Sequence, residues 1–112
     1  MEYDVTLIFP PIPEAGIPSA EFHYKVDLET MEAAAERVFA YHQDVQRRPN
    51  VRASAMCGDI LKVTGDGKTQ HFIAWGTGMR EVTESEAAKW AQKPFRDRSL
   101  ESLGIDMTTN IA

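Results

Sequence analysis

The sequence predicts an α+β fold: a mainly antiparallel sheet with one long helix packed across it and a short C-terminal helix. Three observations carry that prediction. Apolar residues recur at every second position over 3–9 and again over 20–26, then at every third or fourth position over 28–45. Two apolar runs, 60–64 and 69–75, flank the tetrad Gly65-Asp66-Gly67-Lys68. A capping-box sequence, Thr83-Glu84-Ser85-Glu86, opens a second short helical stretch. The chain has 112 residues, of which 43% are hydrophobic and 26% charged. That is enough to bury a single core without disulfides or metal. One domain is expected over 1–92, followed by a tail over 93–112.

The first strand puts Tyr3, Val5, Leu7 and Phe9 on one side, with Ile8 hinting that the other side is partly covered. Pro10, Pro11, Pro13, Gly16 and Pro18 then predict a loop, because proline fixes φ and removes a ladder donor. In the second strand Phe22, Tyr24 and Val26 face the core and Glu21, His23 and Lys25 face away. With about ten loop residues between them, the two strands pair most simply as antiparallel neighbours.

A helix is expected over 28–46, with Leu28, Met31, Ala34, Ala35, Val38, Tyr41 and Val45 inward. Asp27 is the expected cap, Glu29 and Glu32 complement the positive end of the helix dipole, and Pro49-Asn50 ends the helix. Residues 51–57 read as extended but weak in β-propensity. Gly58 permits a sharp backbone turn, and strands follow at 59–64 and 69–75 around the Gly/Asp hairpin turn. Gly76-Thr77-Gly78 leads to a third short strand over 79–82. The last helix runs to about Gln92 with Ala87, Trp90 and Ala91 inward, and Ser99 to Gly104 suit one capped turn.

Charge restricts the class of function. Residues 1–46 carry two bases against nine acids, a net −7, and residues 47–112 carry ten bases against eight acids, a net +2. An acidic half repels phosphate backbones, so direct nucleic-acid binding is disfavoured. Arg47, Arg48 and Arg52, with Arg80 nearby, form one basic cluster, and Lys89, Lys93, Arg96 and Arg98 form another. The first lacks the interleaved aromatics that stack single strands. No apolar run approaches the ~20 residues of a membrane span, so no membrane partner is expected. The single cysteine, Cys57, excludes an internal disulfide. A cytoplasmic protein is expected.

Catalytic parts are few. Cys57 and His71 would make a thiol–imidazole pair if the sheet brought them together. His23, His42 and His71 lack metal-ligand spacing, and Gly76-Thr77-Gly78 is too short for a phosphate loop. Trp75 and Trp90 read as core. Neither an enzymatic activity, a cofactor nor a metal is expected.

One stretch carries a family resemblance. Residues 35–42, then Arg52-Ala53-Ser54-Ala55-Met56-Cys57-Gly58-Asp59-Ile60-Leu61-Lys62-Val63, then Phe72-Ile73-Ala74-Trp75-Gly76, resemble the YodL-like domain of small bacterial, phage and conjugative-element proteins. Gly58-Asp59-Ile60 supplies the glycine–aspartate core of its pattern. The resemblance spans about residues 3–82. It implies interaction roles on mobile elements, action against host defence among them, and it transfers no site residues.

The expected function is therefore a non-enzymatic protein-binding module, an inhibitor from a phage or plasmid acting on a host nucleic-acid-handling or defence complex. Its partner would present a basic surface to Glu21 on the outer strand face and to Glu29, Glu32 and Glu36, whose spacing forms one helical stripe. Ile12 and Ile17 in the proline loop are the apolar candidates. The alternatives are a small enzyme using Cys57 or a histidine, and a nucleic-acid-binding protein using the arginines.

Overall fold

The computed structural model describes residues 1–44, 57–76, 78–94 and 97–99. Outside them lie the expectations for residues 45, 46 and 51–56, the helix end at Pro49-Asn50, the cluster Arg47, Arg48 and Arg52, Arg96, and most of the turn after Ser99. Five strands, β1 (Glu2–Phe9), β2 (Ala20–Asp27), β3 (Ile60–Gly65), β4 (Lys68–Trp75) and β5 (Gly78–Val82), form one sheet in the order β2-β1-β3-β4-β5. Every pairing is antiparallel. The predicted α+β class and the predicted strands hold, each to within one residue.

Alternation explains why β1 lies inside the sheet. Tyr3, Val5, Leu7 and Phe9 are buried on one face beneath helix α1 (Met31–Asp44), while Ile8 packs on the other face beneath helix α2 (Glu84–Gln92). Leu61, Val63, Phe72 and Ala74 complete the α1 layer against Met31, Ala34, Ala35 and Val38. The fully buried Ala34 and Ala35 let the helix backbone approach the sheet closely. Ile60, Ile73, Val82, Ala87 and Trp90 make the second, smaller core.

Turn chemistry sets the registers. Asp66 and Gly67 both have positive φ, 53° and 72°, as the two central residues of a type I′ hairpin require. Gly65 answers a different need: a Cβ there would lie 2.5 Å from the Tyr3 ring. Gly58, with φ 101°, donates to the Ala74 carbonyl at 2.7 Å, while Ala74 donates to the Asp59 carbonyl at 2.9 Å. Two residues thus oppose one, with glycine first, which is a G1 bulge. The Gly-Asp pair is accounted for by backbone geometry, and Asp59 is fully buried.

The first helix differs from expectation at its start. It begins at Met31, not residue 28, and its 14 residues are an ordinary length, not a long one. Thr30 takes the capping role assigned to Asp27, accepting from Ala33 N at 3.1 Å through its hydroxyl. Starting there, the inward positions are 31, 34, 35, 38 and 42. Tyr41, expected inward, is 57% exposed, and His42 is 3% exposed in its place. Phe9, Phe22, Tyr24 and Tyr41 surround the His42 ring, and Tyr24 Oη shares a hydrogen bond with its Nε2. A polar ring is tolerated in this layer because it is hydrogen-bonded.

The second helix matches its signature. Thr83 Oγ1 accepts from Glu86 N at 3.0 Å and Glu86 Oε1 accepts from Thr83 N at 2.8 Å, with Ala87 and Trp90 buried. Trp90 Nε1 donates to the Gly58 carbonyl at 2.9 Å, which docks α2 on the bulge. Arg98 donates to the carbonyls of Trp90, Ala91 and Pro11, a helix-end contact for a residue grouped by sequence in a basic patch.

Candidate functional site

Glu21, Glu29, Glu32 and Glu36 are all exposed, but they do not form one patch. Glu21 stands on β2, on the face opposite α1, because its pairing partner Ile8 packs under α2. Glu29 precedes the helix, so the expected three-residue stripe reduces to Glu32 and Glu36, one turn apart. Ile12 and Ile17 are half-buried and face each other across a bridge closed by two hydrogen bonds, 2.8 and 3.1 Å. A short 3-10 turn, Pro13–Ala15, sits between them, so the proline segment is more ordered than a plain loop.

The sheet register separates the catalytic candidates. Cys57 is exposed beside Gly76, with its thiol 3.9 Å from the Gly76 carbonyl, whereas His71 pairs with Lys62 and Val82 five residues back along β4. At about 3.3 Å per residue that is roughly 16 Å, too far for a thiol–imidazole pair. His23 shares the open polar row His23, Thr6, Lys62, His71, but three strand spacings, about 14 Å, lie between the two rings' positions. His42 is on the other face. Among the described residues no group of three ligand-type side chains can hold a metal ion.

Two clefts remain. The first, about 450 Å³, lies where β4, β5 and the start of α2 meet, with His71, Thr69, Glu81 and Glu84 in its wall. Burial holds the His71 imidazole below its usual range, with Glu84 pulling it up and Lys62 pushing it down. Thr83 and Glu86, also in the wall, are occupied with each other in the capping box. That leaves Thr69, Gln70, His71, Glu81 and Glu84 as the remaining polar groups of an open recess.

The second cleft, about 280 Å³, runs between α1 and the β4–β5 end of the sheet. Phe39 and Ala40 of α1 line it on one side, Ala74, Gly78 and Met79 on the other, and exposed Glu36 completes the wall. Positions 32, 36 and 39 share one flank of the helix, the flank that looks toward β5. The chain leaves β2 at the Asp27 end and re-enters the sheet at β3 beside Trp75, so α1 and β5 run in opposite directions. Glu81 lies about 6.6 Å beyond Met79 toward the start of α1 and is exposed. The apolar slot thus has Glu36 in its wall, with exposed Glu32 one turn earlier on the same flank of α1 and exposed Glu81 two residues beyond Met79 on β5. Among the described residues no base is paired with any of the three. Of this site the sequence had singled out Glu32 and Glu36. Phe39, Met79, Glu81 and Gly78 carry no motif and meet only through the fold.

Arg80 turns to the α2 side, opposite Ile73, and so does not border this cleft. Among the described residues no helix is long and apolar enough to cross a membrane. Compared with protein-family models, curated proteins and solved structures, the chain has no match, and the YodL-like resemblance gains no support there.

Proposed function

We propose that the protein is a non-enzymatic binding module for a protein partner with a basic surface. The observation that carries this reading is the apolar cleft between α1 and β5 with Glu36 in its wall, flanked by exposed Glu32 on the same helix and exposed Glu81 on the same strand. Apolar area at the centre supplies affinity, and like charges left unpaired around it favour and steer an oppositely charged surface. A partner that neutralises them also relieves the repulsion of the Glu32 and Glu36 pair, a few tenths of a kcal/mol. The resemblance adds a setting: a cytoplasmic inhibitor borne by a phage or plasmid, whose acidic half occupies the basic surface of a host nucleic-acid-handling or defence complex. The separation of Cys57 from His71 by about five residues of strand speaks against the enzymatic pair, and the acidic border of the cleft against a nucleic-acid reading.

The test is charge reversal. Glu32→Lys, Glu36→Lys and Glu81→Lys together should leave the fold intact and slow association with the partner captured from a bacterial lysate, most at low salt. The Glu21→Lys control should have little effect. Association rates that ignore the triple reversal would refute the reading.

A further inference from the structure

We infer that β5 takes up an extended segment of the partner as an added strand, with an apolar residue in the α1–β5 cleft and a basic residue two positions away against the glutamates. This rests on the protein-binding reading and specifies how that surface binds. The backbone makes the first argument. Ala74 spends its N–H on Asp59 and its carbonyl accepts from Gly58, both on the β3 side, so Ala74 and Met79 are a non-hydrogen-bonded pair. Met79 therefore points its own N–H and carbonyl away from β4, toward the outer edge, and by the same alternation so does Glu81. Among the described residues no strand pairs with that edge.

Side-chain parity makes the second. Met79 and Glu81 pair with Ala74 and Phe72, which pack under α1, so both side chains also lie on the α1 side. In an added strand, the residues hydrogen-bonded to Met79 and Glu81 present their side chains on that same face. The one beside Met79 meets Phe39 and Ala40, an apolar environment. The one beside Glu81 meets that carboxylate, with Glu36 in the wall of the adjoining cleft, which suits lysine or arginine. Charge complementarity thus fixes the occupant as an extended segment with apolar and basic residues at alternate positions, the recognition mode in which main-chain bonds give affinity and alternate side chains give specificity.

The experiment uses a fluorescein-labelled heptapeptide with lysine, leucine and lysine at alternate positions and threonine between them, followed by fluorescence anisotropy, together with binding of the captured partner. Saturable peptide binding is expected, lost when the lysines become glutamates. Met79→Pro removes an outward N–H and, read against Met79→Leu for the lost side chain, should weaken binding about tenfold, the worth of one hydrogen bond. Glu81→Pro, read against Glu81→Gln for the lost charge, should do the same by removing the other outward N–H, which keeps the test valid if Met79→Pro unfolds. Amide exchange at Met79 and Glu81 should slow on binding. Absence of saturable peptide binding, or binding unchanged in whichever of Met79→Pro and Glu81→Pro folds, overturns strand addition. If the partner's association slows on glutamate reversal yet tolerates both edge variants, strand addition is wrong and protein binding stands. If the partner ignores every variant, both fall.

Discussion

Replacing Trp90 by phenylalanine tests whether α2 belongs to the folding unit. Trp90 is fully buried, meets Trp75 edge-on at a centroid distance of 5.6 Å, and donates to the Gly58 carbonyl at 2.9 Å. Phenylalanine keeps most of the apolar contact but loses the donor. The hydrogen bond is worth about 1 kcal/mol, with more lost if the Gly58 carbonyl is left dry, and the smaller ring leaves a void costing about 1–2 kcal/mol. The sum is about 2–3 kcal/mol, and about 4 kcal/mol for Trp90→Ala. With a urea slope of about 1.5 kcal/mol per molar, the phenylalanine variant's midpoint should fall by about 1.3–2 M. Far-UV circular dichroism reads this without interference from the lost indole. A fall of less than about 0.5 M would show that α2 and the bulge are not coupled as the contact implies.

Three further outcomes check the rest of the fold. Val38→Asp should cost about 4 kcal/mol or more, because a charge would be buried without a partner in the α1 layer, and an unchanged melting temperature would refute the assigned helix face. Gly65→Ala should cost about 1–3 kcal/mol in chemical denaturation, since the new methyl would sit 2.5 Å from the Tyr3 ring, and the double variant Gly65→Ala with Tyr3→Leu should recover part of that loss. Because burial lowers the His71 pKa, the unfolded chain binds more protons there, so His71's share of stability is present above its usual value of about 6.5 and is lost as pH falls toward the folded value. His71→Gln should show a shallower decline of the urea midpoint below pH 6.5, and a wild-type slope in the variant would refute the assignment.

Much of this fold is legible because its signals are local. The alternation of Tyr3, Val5, Leu7 and Phe9 specifies a face, the Asp66-Gly67 pair specifies a turn, and Thr83 with Glu86 specifies a helix start. The start of α1 is harder to read, since Asp27 and Thr30 are both good caps and only tertiary packing decides between them. That three-residue choice moves Glu29 off the helix. The separate exchange of Tyr41 for His42 at the inner position is also tertiary, because His42 goes inside only if Tyr24, from β2, meets its ring nitrogen. The candidate site is less legible still. Glu36, Phe39, Gly78, Met79 and Glu81 come from two segments some forty residues apart, and the outward direction of the Met79 amide follows from which atoms of Ala74 the bulge at Gly58 occupies.

The two outer strands differ in how they meet the general hazard of an open sheet edge. Along β2 the side chains facing away from α1 are Glu21, His23, Lys25 and Asp27, all exposed, and the hairpin tip beyond it is closed on itself at Ile12 and Ile17. Charges at alternate positions make a poor template for a further strand. Along β5 the guarding is weaker: Gly78 offers no side chain, Met79 is apolar, and Glu81 supplies charge of one sign only, beside more of the same sign on α1. Such an edge repels another copy of itself, whose glutamates would meet these, yet stays open to a segment carrying lysine or arginine. Selectivity against self and for a basic partner would then come from the same carboxylates. Reversing Glu32, Glu36 and Glu81 to lysine consequently tests both halves of the argument, since it should reject the basic peptide and accept its glutamate counterpart.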